Sequence, residues 1–296
     1  MSVVRHLLNG WLRLTEKRLL ARGPAPDVLR RSFERKARWF FHAPRGTRFE
    51  DGHVAGVPVH WVRAPGVGRE SGPLILYFHG GGYVFGAPRT HRAMLAEVSR
   101  LTGLPACLPD YRKAPEHPFP AAMEDALAVY GALAARPGGV ILGGDSAGGG
   151  LALSLLAGCT RREGSGPVAT FAFSPLTDAR LAGESLRRNA EADVMLPASR
   201  ADSLIEMYLQ GADPSDPRAS PLLAGFVGAG PVWLAASDTE ILLDDTRRMA
   251  AVLRDQGVAV TETITHDLPH VWPIFHNVLP EARATLRDLA GWIKSL

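Results

Sequence analysis

One serine, Ser146, sits in the middle of "VILGGDSAGGGLALSLL" (140–156), where an apolar strand-like run passes into an apolar helical run through a turn that is almost all glycine. Glycine loses more conformational freedom on folding than any other residue, so such a turn needs a reason. GDSAG fits G-x-S-x-G directly after a strand and directly before a helix. In that context a strained turn pushes a nucleophilic hydroxyl into a crevice, and the helix N-terminus behind it favours developing negative charge. A phosphate-binding loop is the competing reading. No Gly-Lys-Ser/Thr follows, and G-x-G-x-x-G occurs neither here nor in "HGGGYVFG", so nucleotide binding is poorly supported.

An acyl-transfer serine also needs donors aimed at the oxyanion, each worth roughly 2.7–4 kcal/mol on removal. "FHGGGYVFG" (78–86) follows another strand-like run and offers amides that no side chain obstructs. Gly80 and Gly81, completed by Ala147, are the expected oxyanion hole. His79 is expected to hold this loop through a side-chain hydrogen bond. Tyr83 is placed at the pocket mouth, and Asp145 also in the pocket. In sites of this kind the acid and then the histidine follow the serine along the chain. "AASDTEILLDD" ends a strand-like run with Asp238, which would face the same crevice as Ser146; Glu240 is the alternative acid, and Asp244 and Asp245 fall in the next helix. "THDLPHVWPIF" offers His266 and His270. His266 ends a strand pattern, whereas His270 lies in the loop beyond and is preferred as base. Metal binding by this i, i+4 pair is disfavoured, because the glutamate of H-E-x-x-H is absent and Pro269 interrupts a shared helix face.

The elements that must position these residues alternate along the chain. After a hairpin around "HVAGVPVHWVRA", strands are expected at 74–78, 105–109, 140–144, 170–174, 231–237 and 258–265. Helices are expected near 89–100, 120–135, 147–163, 244–256 and 281–294. Such alternation is the mark of a parallel sheet covered on both faces. Residues 178–228 break the rhythm with a helix-like stretch and no strand. They read as an insertion which, with the N-terminal 45 residues, forms a cap at the strand ends, where open α/β sheets bind ligands.

With 296 residues, 46% hydrophobic and 21% charged, the chain can bury a sizeable core, and a net charge of +3 is too weak to imply nucleic acid. Its distribution says more. Residues 1–48 carry twelve Lys and Arg against three acids, leaving twenty-one against twenty-seven over the rest. The opening "MSVVRHLLNGWLRLTEKRLLARG" has apolar residues at helical spacing, but Arg13, Glu16, Lys17 and Arg18 cut it too soon for a signal peptide. No apolar run approaches a membrane span. The expectation is a helix packed on the body with a solvated basic face, with peripheral membrane contact the minor alternative. Cys107 and Cys159 lack metal or redox spacing and are expected to be reduced thiols of a cytoplasmic protein.

Taken together, "HGGGY" (79–83), "DYRKAPEHPFPAA" (110–122), "GDSAGGG" (144–150), "SPLTD" (174–178), "SDTEIL" (237–242) and "PHVW" (269–272) resemble the bacterial hormone-sensitive-lipase-like carboxylesterases, the family IV esterases. The motifs stand in the family's order from about residue 74 onward; residues 1–70 match only loosely. The resemblance implies an α/β-hydrolase fold with a mostly parallel sheet of about eight strands and a helical cap formed by about 1–45 and 180–225. It makes Ser146 the nucleophile, Asp238 the acid and His270 the base, with Gly80, Gly81 and Ala147 as donors. Lys113 departs from the family's usual Leu, with only a surface effect expected. "DYRKAPEHPFPAA" reads as a structural latch in which Arg112 and Glu116 stand four residues apart.

The implied reaction is hydrolysis of short- to medium-chain acyl esters, with lactones a further class, through an acyl-enzyme and without metal or cofactor. An amidase or arylformamidase would use the same triad on another bond. A non-catalytic small-molecule binder is the remaining alternative: the plant gibberellin receptors resemble this family but lack the histidine that stands here as His270. The partner expected is a small-molecule ester, not nucleic acid, with no integral membrane segment. The family includes monomers and dimers, so the assembly stays open between them; a homodimer pairing through the exposed edge of the last strand is the preferred alternative.

Overall fold

The computed structural model describes residues 2–160 and 166–296. Three helices open the chain, α1 (Val3–Leu14), α2 (Glu16–Ala21) and α3 (Pro26–Phe40). The hairpin β1 (Arg48–Val54) and β2 (Val57–Arg63) follows. Strands β3 (Leu74–Phe78), β4 (Ala106–Pro109), β5 (Val140–Asp145), β6 (Ala169–Phe173), β7 (Val232–Ser237) and β8 (Val260–Thr265) complete one eight-stranded sheet in the order β1-β2-β4-β3-β5-β6-β7-β8. β2 is antiparallel to both its neighbours, and from β4 to β8 every pair is parallel.

The central strands are apolar on both faces because both faces are covered. Along β3, Leu74, Leu76 and Phe78 point to one core and Ile75 and Tyr77 to the other, the alternation that a strand's two-residue period requires. Helices α5 (Ala121–Leu133), α6 (Ser146–Thr160) and α9 (Leu243–Asp255) bury Met123, Leu151 and Met249 in the first core. Helices α4 (Pro88–Thr102) and α10 (Pro280–Lys294) bury Leu95 and Leu286 in the second. Fully burying one such side chain contributes about 1.5–3 kcal/mol.

The expected strands and helices are all present, to within a residue or two at most ends. The helix read as 147–163 begins at Ser146 and is described to Thr160; residues 161–163 lie outside the described residues. Residues 178–228 hold no strand among the described residues. They carry α7 (Ser185–Arg188), α8 (Ala201–Leu209) and two short 3-10 turns. Cys107 and Cys159 are both buried and form no disulfide.

The "DYRKAPEHPFPAA" segment is a latch with other partners than its spacing suggests. Arg112 binds Asp125 and Glu124 on α5, while Glu116 accepts from Arg30 on α3 at 2.7 Å and 2.8 Å. Arg30 also reaches the carbonyls of Val84 and Ala114, so it ties the N-terminal helices to the glycine loop that follows β3. Holding the guanidinium so close keeps the Glu116 carboxyl down at about 2.

Candidate active site

β5 passes into α6 without an intervening residue, and Ser146 is the hinge. It adopts φ +52°, left-handed backbone that costs a non-glycine residue of order 1–3 kcal/mol. The turn closes only because of its glycines: a Cβ on Gly148 would strike the backbone oxygens of Phe78 and His79. The strain leaves Ser146 half-buried at the N-terminus of a fifteen-residue helix, on the wall of a cavity of about 510 Å³.

His270 stands on the same cavity wall, in the loop after β8. Its Nδ1 lies 2.6 Å from Glu240 Oε2. Its Nε2 is buried and without a hydrogen-bond partner among the described residues, the state of an acceptor waiting for a proton. The other oxygen of Glu240 accepts from the Ser237 amide at 2.7 Å and the Ser174 hydroxyl at 2.9 Å. Ser174 Oγ in turn accepts from the Val271 amide, so one hydroxyl spaces the carboxylate and the histidine loop.

This corrects the expectation for Asp238. Asp238 Oδ2 binds His266 Nδ1 at 2.7 Å at the protein surface, and its Oδ1 accepts from the Asp267 amide. The turn after β7 folds Glu240 back over Ser237, which carries the longer side chain inward and leaves Asp238 facing out. The two carboxylate–histidine pairs differ sharply in setting: His270 and Glu240 are 4% and 1% exposed, His266 and Asp238 63% and 36%.

Burial works against a charged His270. The Glu240 hydrogen bond and charge, with the charges of Asp193 and Asp145, outweigh it and hold His270 above its ordinary 6.5. Asp193 and Asn189 were not singled out in the sequence, because both lie in the strandless 178–228 segment. Asn189 Nδ2 donates to the carbonyls of Asp238 and Glu240 at 2.9 Å and 2.7 Å, and Asp193 Oδ2 accepts from the Ile241 amide at 3.0 Å. Between them they clamp the acid-bearing turn. Burial pushes the Asp193 carboxyl up despite these amide donors.

The glycine loop after β3 needs a second correction. The Gly80 amide already donates to Asp145 Oδ1 at 3.0 Å, so it is not available to an oxyanion. The Gly81 and Gly82 amides donate to no described residue, and both glycines line the cavity. The first-turn amides of α6, Ala147 among them, lack intrahelical acceptors as all helix N-termini do. Gly81 sits at φ +124°, where a Cβ would run into the Phe85 carbonyl. His79 holds the loop as expected: its Nδ1 lies 2.9 Å from the Gly80 oxygen, its ring stacks on Tyr111 at 4.4 Å, and burial pushes its pKa well down.

Asp145 does line the cavity, but as an anchor. The Tyr77 hydroxyl and the Gly80 amide share one of its oxygens, and His91 Nε2 lies 3.3 Å from the other. Tyr83 does not reach the pocket mouth. It is 1% exposed, stacked face to face on Tyr208 at 3.8 Å, and is not among the residues that line the cavity.

The rest of the cavity is apolar. Leu8, Leu12, Leu19 and Phe33 come from α1–α3, Met195 and Leu204 from the 178–228 segment, and Ile274 and Phe275 from the loop beyond His270. An ion pair, Lys36 Nζ to Glu16 Oε1 at 2.6 Å, and the polar side chains of Ser32, Arg200 and Asn277 interrupt it. Among the described residues no group of three or more His, Cys, Asp or Glu side chains could hold a metal ion.

Residues 75–274 match the model of a family described by its alpha/beta hydrolase fold. The chain is 33% identical to an acetyl-hydrolase of Streptomyces hygroscopicus over 255 residues, 85% of this chain and 83% of that one. The structure of EstE5 soaked with p-nitrophenyl butyrate superposes with a TM-score of 0.91 at 36% identity, covering 100% of this chain and 99% of that one. An esterase from the bacterial hormone-sensitive lipase family superposes equally well, with a TM-score of 0.91 at 34% identity over 100% and 98% of the two chains. Fold, cavity and relatives agree: the chain belongs to the bacterial hormone-sensitive-lipase family of α/β-hydrolase-fold esterases and is a carboxylic ester hydrolase.

Proposed function

We propose that the enzyme hydrolyses short- to medium-chain acyl esters through an acyl-enzyme on Ser146, with His270 as base and Glu240, not Asp238, as the acid. The observation that carries this is the buried 2.6 Å pair of His270 and Glu240, with the other imidazole nitrogen unpaired on the wall that holds Ser146. Glu240 accepts the Nδ1 proton, which fixes the tautomer in which Nε2 is basic.

The reaction follows from those positions. His270 Nε2 takes the Ser146 proton as Oγ attacks the ester carbonyl. Negative charge on the carbonyl oxygen is met by the Gly81 and Gly82 amides of the loop after β3 and the Ala147 amide at the head of α6. The imidazolium returns its proton to the leaving alkoxide, and the alcohol departs. Water then repeats the attack on the acyl-enzyme, His270 takes its proton, and the carboxylic acid leaves as Ser146 regains a hydrogen.

The helices α1–α3 and the 178–228 segment serve as the cap that walls the acyl pocket. A cavity of about 510 Å³ falls within the usual range for small-molecule sites, and its apolar lining suits an uncharged acyl chain. The soaking of EstE5 with p-nitrophenyl butyrate supports the short-chain end. The test is hydrolysis of p-nitrophenyl esters from acetate to palmitate, with Ser146→Ala and His270→Ala beside the parent. Turnover on short and medium chains that both substitutions abolish is expected; turnover that survives Ser146→Ala would refute the reading.

A further inference from the structure

Helix α1 is turned the wrong way round for a helix packed on a core. It buries Arg5, Asn9 and Leu12, spaced i, i+4, i+7, against the body. The opposite face carries Val3, Leu7, Trp11 and Leu14 into solvent, with Val3 75% and Leu7 70% exposed. The inward polar residues have real partners. Arg5 donates to the His266 carbonyl and pairs with Asp267, and Asn9 Nδ2 donates to the Asp267 carbonyl at 3.0 Å. The orientation is therefore fixed by contacts rather than by loose packing.

The exposed apolar face continues onto α3. Trp11 meets Phe40 at 5.7 Å, and Phe40 and its neighbour Trp39 are 52% and 72% exposed. On the same N-terminal segment Arg13, Arg18, Arg22, Arg31, Arg35 and Arg38 are all exposed. Exposed apolar residues that include two tryptophans, together with arginines, are what a helix lying in a bilayer interface presents.

We propose that α1 and α3 form a docking surface for an anionic lipid bilayer, with Leu7, Leu14 and Trp39 entering the interface and the arginines of the same segment meeting lipid phosphates. Charge complementarity selects this occupant. Residues 1–48 hold twelve basic against three acidic residues, so a second copy seated symmetrically on the same face would bring arginine against arginine. An anionic surface relieves that repulsion.

The docking surface also surrounds the way in. Val4, Leu7, Trp11 and Phe40 are exposed and at the same time line the cavity that holds Ser146. On the proposed ester hydrolysis, a docked enzyme would draw its substrate from the bilayer. Docking itself does not require Ser146.

The test is flotation of the intact enzyme with vesicles of phosphatidylcholine alone and of phosphatidylcholine with phosphatidylglycerol, at low and high salt. Binding is expected only with phosphatidylglycerol, weakened by salt. The pair Arg35→Glu/Arg38→Glu should reduce partitioning by about tenfold or more. Leu14→Glu/Trp39→Glu, residues outside the cavity lining, should abolish it while turnover of soluble p-nitrophenyl butyrate stays at the parent's rate. Ser146→Ala should float like the parent, which separates this proposal from the catalytic one. No flotation of the parent, or flotation that survives both double variants, would overturn it. So would a dimer in sedimentation velocity that Leu14→Glu/Trp39→Glu converts to monomer.

Discussion

Two single substitutions, Glu240→Gln and Asp238→Asn, separate the carboxylates that stand two residues apart. In Glu240→Gln the new side chain retains one oxygen for the Ser237 amide and the Ser174 hydroxyl, so the turn keeps its acceptor. Its amide NH₂ then faces His270 Nδ1 at the 2.6 Å contact. That nitrogen is forced to accept, the ring proton moves to Nε2, and the nitrogen that must receive the Ser146 proton is occupied. The corresponding aspartate-to-asparagine change in a serine protease costs about 10⁴ in kcat, about 5.4 kcal/mol at about 1.36 kcal/mol per decade. We expect a loss of that order here in kcat, with KM little changed because no substrate contact is touched. Asp238→Asn breaks only a surface pair with His266, and pairs of that exposure are worth roughly 0.2–1 kcal/mol. Its kcat should remain within about threefold of the parent. Steady-state hydrolysis of p-nitrophenyl butyrate, with circular dichroism melts to verify folding, measures both. An Asp238→Asn variant reduced by orders of magnitude beside an active Glu240→Gln would refute the assignment.

Other outcomes follow from the same geometry. Because His270 must be neutral to act as base and is held above 6.5, the acid limb of the kcat/KM profile should have its midpoint above 6.5, with activity rising as pH rises through it. Asp193→Asn removes one of the charges that stabilise the imidazolium, so in the same pH–rate measurement that limb should move to lower pH. Gly148→Ala places a methyl group against two backbone oxygens that cannot yield, and should abolish turnover of p-nitrophenyl butyrate or soluble expression. Leu286→Ala, fully buried in the second core and away from the cavity, should lower stability by about 2–5 kcal/mol in urea titration and leave kcat unchanged.

The strands and helices around Ser146 were legible because local signals coincide there: apolar runs of strand length, glycines at the turn, and helical periodicity beyond. His266 and His270 both follow β8, and the preference for His270 rests on its place farther along the loop, where the structure sets it in the cavity lining. The acid was not legible. Asp238 and Glu240 both follow β7, and which one points inward depends on Glu240 folding back to accept from the Ser237 amide, a bond no residue pattern announces. The Gly80 amide was misjudged for a related reason, because its acceptor is a side chain 65 residues away. Tyr83 looked like a rim residue until Tyr208, from the strandless segment, covered it. The facing of α1 was hidden by distance: Arg5 and Asn9 find their partners at 266–267, so α1 packs through these polar residues together with Leu12, and Leu7 and Trp11 stay exposed.

Asn189 and Asp193 have a consequence for how this enzyme can change. The same stretch of chain supplies Met195 and Leu204 to the pocket wall and, through Asn189 and Asp193, steadies the turn that bears Glu240. Substrate range and chemical competence are thus mechanically joined in one segment. Transplanting 178–228 from a relative to alter acyl preference would also replace the brace behind the carboxylate. A chimera that keeps Asn189 and Asp193 while exchanging Met195 and Leu204 would retune selectivity at constant kcat, whereas a wholesale graft would trade one against the other. Drift in this lineage should therefore run more freely at the apolar pocket-lining positions of α1–α3, such as Leu8 and Phe33, than at Lys17, which donates to the Ala190 and Asp193 carbonyls beside that brace.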